Sequence, residues 1–222
     1  GGKTVNNTKI PVTVVYSDDK GENWTTCELD KIYTADYYYV KFFDSDNGVI
    51  VCGYAKSNDT NESSRIYSTS NGGESWDIVG SGPATNIIKG VVYVSSDVGF
   101  FCYDYVEGMD SNLYKTDDGG KTFAKVMLEE QELDSSAANP QGQETETKTD
   151  SGKNGADSSE QLRWGDVYKE ALTPVVDSTG IITIYLTQGK NAVYNDGKTA
   201  AKYQSSDKGS TWKYIGQVEI KD

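Results

Sequence analysis

The sequence predicts an all-β chain of repeated, four-stranded antiparallel units, and three observations carry that prediction. One eight-residue turn occurs four times without gaps, at 17–24 (SDDKGENW), 69–76 (TSNGGESW), 116–123 (TDDGGKTF) and 205–212 (SSDKGSTW). Each copy lies between two short runs rich in strand formers, such as VTVVY and WTTCEL around the first. A strand–turn–strand pattern also precedes three of the copies, at 40–54, 91–105 and 173–187.

Each element of the turn has a physical reason. A tight turn between two β-runs makes a hairpin. Asp19, Asn71, Asp118 and Asp207 stand at its third position, where a short polar side chain bonds backbone N–H groups of its own turn. Gly21, Gly73, Gly120 and Gly209 follow two residues later and supply a positive φ. Trp24, Trp76, Phe123 and Trp212 close the motif, each expected to fold back and seal the turn against the core.

The repeating unit is therefore strand A, turn, strand B, loop, strand C, polar turn, strand D. The motifs start 52 and 47 residues apart, and then 89. An insertion accounts for the excess. Residues 135–161 contain no aromatic residue and no Val, Ile, Leu or Met, too little apolar surface to offset the entropy of ordering. Across 129–160, nine acids face Lys148 and Lys153, so 2 − 9 = −7 of the chain's net −13 lies there. We expect a single domain over 9–220, interrupted by a disordered acidic loop at 129–162, with 1–8 a flexible N-terminus. Complete units fall at 36–82, 87–128 and 164–220, while 9–30 supplies only a C–D hairpin.

Composition excludes several classes. The 222 residues contain no His, which removes Ser-His-Asp and Cys-His catalysis and imidazole proton shuttling. Arg65 and Arg163 are the two arginines of an acidic chain, a poor basis for binding nucleic acid. No apolar run reaches the length of a membrane-spanning helix, and residues 1–9 lack the apolar core of a signal peptide. No cofactor or metal site is expected. The run DSDNG at 44–48 has its Gly one place early for a calcium loop and reads as an A–B turn. Cys27, Cys52 and Cys102 sit in apolar stretches and read as buried small hydrophobes, with a Cys52–Cys102 disulfide as the alternative.

The S-x-D-x-G-x-x-W turn resembles the Asp-box (BNR) repeat of sialidase-like β-propellers. The resemblance implies an all-β propeller of four-stranded Asp-box blades, either about four in number or part of a larger ring. It also implies that ligands bind on the face opposite the boxes, where B–C loops and D–A connections gather. Residues expected there are Asp36, Tyr37, Tyr39, Asp59, Arg65, Asp104, Glu107, Arg163, Trp164 and Asp166, with Glu62, Asp110 and Glu170 as further acids. A sialidase grips its substrate carboxylate with three arginines, and this chain has two, so that activity is excluded. The favoured reading is a non-catalytic recognition module, extracellular or on the cell surface, binding a glycan or protein partner. The alternative is a glycoside hydrolase or lyase using a carboxylate pair on the same face.

Overall fold

The computed structural model describes residues 4–5, 8–54, 64–84, 86–133, 163–189 and 194–220. They form an all-β fold of propeller type, in which antiparallel blades pack face to face through shared apolar layers. Strands β1 (Thr4–Val5) and β2 (Thr8–Lys9) pair within the segment expected to be flexible. The first blade is the hairpin of β3 (Thr13–Tyr16) and β4 (Thr25–Glu28). The second comprises β5 (Tyr37–Phe42), β6 (Gly48–Gly53), β7 (Ser64–Thr69) and β8 (Asp77–Ser81). The third comprises β9 (Ile88–Tyr93), β10 (Gly99–Tyr103), β11 (Leu113–Thr116) and β12 (Ala124–Lys125). In both, each strand pairs with the next in sequence.

The fourth blade begins differently from expectation. Residues 164–168 read as the start of a strand, yet Trp164–Val167 form a single helical turn, α1. The first strand then comes in two pieces, β13 (Glu170–Ala171) and β14 (Val175–Val176), both paired with β15 (Ile182–Thr187). Pro174 lies between the pieces and has no N–H to give the ladder. Strands β16 (Thr199–Ser205) and β17 (Lys213–Glu219) complete the blade.

Strands alternate their side chains between two faces, so a strand buried on both sides must be apolar throughout. That is the case for β6 and β10, every residue of which is buried. Ile50 and Cys52 of β6 face the first hairpin, packing with Val12, Leu29 and Ile32. Val49 and Val51 face the third blade, packing with Ile88, Val91 and Tyr93. Phe100 and Cys102 of β10 meet Ile182 and Ile184 of the fourth blade. Cys52 and Cys102 thus lie in different layers and are free thiols, pushed up to about 12 by burial. Cys27 is also free but only half-buried.

The four polar turns share one bonding scheme. In the third, the Thr116 hydroxyl donates to Asp118 Oδ1 (2.8 Å) and accepts from the Gly120 N–H (2.8 Å). Asp118 Oδ1 also accepts from the Thr122 N–H (2.8 Å), and Oδ2 accepts from the Thr122 hydroxyl. Asp207 repeats this with Ser205, Gly209 and Thr211, and Asp19 with Ser17, Gly21 and Asn23. In the second turn the neutral Asn71 reverses one bond, its amide donating to the Ser75 hydroxyl (2.9 Å). Gly120 (φ +108°) and Gly209 (φ +77°) need glycine twice over. A Cβ would stand 2.9 Å from Ile66 Cδ1 at the former and 2.5 Å from the Phe100 ring at the latter.

The aromatic of the motif behaves as expected in three copies. Trp76 meets Phe42 edge-on at 5.9 Å, Phe123 meets Phe101 at 4.9 Å, and Trp212 meets Phe100 of the third blade at 6.0 Å. Trp24 departs from expectation and is 65% exposed. Among the described residues, no first strand of its blade supplies a counterpart of Phe42.

Hydrogen bonds from Thr122 and Thr211 hold the Asp118 and Asp207 carboxyls far below the ordinary carboxylate range, and Asn23 holds Asp19 at about 2. A folded-state pKa below the unfolded value of roughly 3.9 adds stability above that pH, and the gain is lost as pH falls towards the folded value. Thermal midpoints followed by tryptophan fluorescence should therefore hold steady above about pH 5 and drop below about pH 4. Asp118→Asn with Asp207→Asn, which gives both turns the neutral side chain of the second, should make that acid-induced drop shallower. An unchanged drop would show that the turns do not set acid stability.

Candidate functional site

The ends of the blades can be told apart by backbone bonds. The Gly72 N–H donates to the Asp46 carbonyl (2.9 Å) and the Gly119 N–H to the Asp97 carbonyl (2.8 Å), so A–B turns and polar turns share one face. Asp44 braces its A–B turn by accepting from the Asp46 and Asn47 N–H groups. B–C loops and D–A connections gather on the opposite face.

A cleft of about 330 Å³ opens on that opposite face, between the third and fourth blades. Residues 105–112, the B–C loop of the third blade, form one wall. The chain leaving β12 and the segment around α1 form the other. Residues 129–133 begin the segment expected to be a disordered acidic loop, yet they pack against the fourth blade. Leu133 joins the cluster around Trp164, and the Glu129 carbonyl accepts from the Tyr203 hydroxyl (2.7 Å). The rest of that loop, 134–162, lies outside the described residues.

Three ion pairs stand at the cleft, and Glu130, which also lines it, belongs to none of them. Arg163 forks onto Asp166 through Nε (2.8 Å) and a terminal nitrogen (3.2 Å). Lys125 donates to Asp110 (2.7 Å), and Lys169 reaches across from the fourth blade to Glu107 (2.9 Å). Lys89 pairs with Asp104 (2.7 Å) on the adjoining surface. The bonds from Arg163 and Lys125 lower the pKa of Asp166 and Asp110. Trp164, expected on this face, is only 4% exposed and packs on Tyr168 (4.7 Å) and Tyr214 (5.3 Å) behind the wall. Tyr105 is the half-exposed aromatic of the cleft.

Of the residues expected on this face, the cleft brings together Asp110, Arg163, Trp164 and Asp166, with Glu107 bound to its lining through Lys169. The others stand apart. Asp36 opens β5, its N–H donating to the Gly53 carbonyl (2.8 Å), and an Arg65 terminal nitrogen donates to the Lys31 carbonyl (2.6 Å). Tyr37 and Tyr39 turn towards the third blade, where their phenol oxygens accept from the Val91 and Tyr93 N–H groups, both at 3.1 Å. Asp59 and Glu62 lie outside the described residues. Among the described residues, no group of three or more Cys, Asp or Glu side chains is placed to hold a metal ion.

The floor of the cleft is a residue that sequence reasoning passed over. Asn112 is buried and joins the two blades: its amide donates to the Tyr103 carbonyl (2.8 Å) and the Ala171 carbonyl (2.9 Å), and its oxygen accepts from the Ala171 N–H (2.8 Å). The polar pair Ser111–Asn112 immediately before β11 was the available signal. On the other face a smaller hollow, about 230 Å³, lies between the second and third blades, and its Asp118 is committed to its own turn.

No protein-family model matches the chain, and no curated protein matches its sequence. Among solved structures it is similar to the GH74 enzyme of Niastella koreensis, at 16% identity with a TM-score of 0.44, over 94% of this chain and 26% of that one. The chain thus spans about a quarter of the length of that enzyme.

Replacing Asn112 by Leu would leave two carbonyls and an N–H buried without their partner, at roughly 1–3 kcal/mol for each group left unsatisfied. We expect Asn112→Leu to lower unfolding stability by about 2–4 kcal/mol in denaturant titrations. A loss below about 1 kcal/mol would show that the clamp does not hold the third and fourth blades together.

Proposed function

We propose that the chain is a non-catalytic recognition module that binds a neutral, hydroxyl-rich glycan in the cleft between its third and fourth blades. The observation that carries this reading is the cleft itself. It sits on the face where B–C loops and D–A connections meet and falls at the small end of the range for ligand sites. Apart from Glu130, its charges are matched as Arg163–Asp166, Lys125–Asp110 and Lys169–Glu107. Matched pairs leave little net field to attract a carboxylate or phosphate, yet keep spare acceptor and donor positions for hydroxyl groups. Tyr105 adds an aromatic edge for a sugar ring. We place such a module outside the cell or on its surface.

A hydrolytic reading has less support. A glycosidase needs one carboxyl kept protonated near neutral pH beside an ionised one. Among the described residues, every carboxyl with a displaced pKa is displaced downward, Asp110 and Asp166 included.

The test is a glycan array followed by calorimetric titration of the best hit. Asp166→Ala and Tyr105→Ala should each weaken binding about tenfold, the equivalent of about 1.4 kcal/mol. Because Asp110 and Asp166 stay ionised, affinity should be flat from about pH 5 to pH 8. Turnover of chromogenic glycosides that disappears in Asp110→Asn or Asp166→Asn would overturn the non-catalytic reading. Binding of a protein partner with no glycan hit would overturn the choice of ligand.

A further inference from the structure

The three ion pairs at the cleft cancel in sign, and Glu130 adds a carboxylate that pairs with no cation among the described residues. Its neighbours fix its place. Leu128 and Leu133 pack into the cluster around Trp164, and the Glu129 carbonyl between them accepts from the Tyr203 hydroxyl (2.7 Å). The backbone on both sides of Glu130 is thus anchored to the fourth blade, while its side chain is exposed at the cleft. The carboxylate lies against Gly165, the second residue of α1. A Cβ on Gly165 would stand 2.5 Å from Glu130 Oε1 and 3.3 Å from the carboxyl carbon. Gly165 has no positive φ, so its backbone does not demand glycine, and glycine is unfavourable inside a helical turn. What this glycine supplies is room for the carboxylate. Met109 and Met127, the two methionines of the chain, line the same cleft and give it a polarisable apolar surface.

We infer that Glu130 is a specificity-determining residue of the cleft, its carboxylate accepting from two hydroxyls on adjacent ring carbons of the bound sugar. This rests on the glycan reading above. A carboxylate offers two acceptor oxygens side by side, and its hydrogen bonds are stronger than those of a neutral acceptor. The other carboxylates at the cleft spend part of that capacity on Arg163, Lys125 and Lys169, whereas Glu130 keeps both oxygens for the ligand. Its surplus negative charge also turns away uronic and sulfated sugars, so one group supplies both the attractive and the repulsive part of the selection. Gly165 is the positioning residue, acting through the space it leaves beside Oε1.

The probes are neutral polysaccharides in three forms: untreated, cleaved at their vicinal diols by periodate and then reduced with borohydride, and carboxymethylated. Chitosan, a polymer of amino sugars, is tested beside them. The original chain should bind an untreated form at least tenfold more tightly than its cleaved and carboxymethylated counterparts. Glu130→Gln should weaken binding to the untreated form about tenfold and shrink the discrimination against the carboxymethylated form to less than about threefold. Gly165→Ala, which displaces the carboxylate, should weaken binding as much as Glu130→Ala. Combining the two should cost no more than either alone, because both remove one contact. Unchanged melting curves for these variants check that the fold is intact. Full affinity in Glu130→Gln, with losses in Asp166→Ala and Tyr105→Ala, would overturn this inference and leave the glycan reading standing. So would additive losses from Glu130→Ala and Gly165→Ala, or binding confined to chitosan, which would assign Glu130 to an ammonium group. A chain that binds no untreated polysaccharide and no chitosan would overturn the glycan reading and this inference with it.

Discussion

Everything in this fold depends on apolar faces that no blade can bury alone. The central strands β6 and β10 are apolar on both sides, and each side is satisfied by a different neighbour. Burying apolar area is the dominant favourable term in folding, and here nearly all of it lies between sheets. The tyrosines serve the same constraint. A phenol is long enough to cross the gap between sheets and polar enough at its tip to meet a backbone N–H on the far side. Tyr37 and Tyr39 do this for the edge of β9, and the Tyr93 hydroxyl donates to the Gly119 carbonyl (3.1 Å). Edge groups that would otherwise be unpaired in a packed layer are thereby matched.

The cleft is a by-product of the same packing. Where the third and fourth blades meet, the apolar layer gives way to Asn112, which serves three backbone groups at once. Beyond it the blades diverge, and the space is bordered by loops rather than strands. Lys169 and Glu107 bridge the opening across 62 positions of sequence. The rigid sheets thus position loop side chains whose own backbone is irregular, the usual division of labour between scaffold and loops.

How much of this was legible in the sequence follows from the range of each interaction. The polar turns were readable because every bond spans two to four residues, as from Asp118 to Thr116 and Thr122. The A–B turns at Asp44 and Asp177 were readable for the same reason. Turn signals also placed the strands, since those turns bound them. Side-chain roles across blades were not readable. Tyr37 and Trp164 looked like ligand-face aromatics because sequence shows residue type and not which layer a strand faces. The helical turn at Trp164–Val167 is too short to leave a periodic signal. The exposure of Trp24 was invisible because it depends on which strands lie beside it, a long-range matter that the turn motif does not encode.

The placement of the two buried thiols has a practical side. Cys52 belongs to the layer between the first and second blades, Cys102 to the layer between the third and fourth. Held neutral and shielded, neither reacts until its own layer parts. The molecule therefore carries two internal clocks, one at each end of the array. The ratio of their alkylation rates would tell whether the sheets come apart together or one at a time.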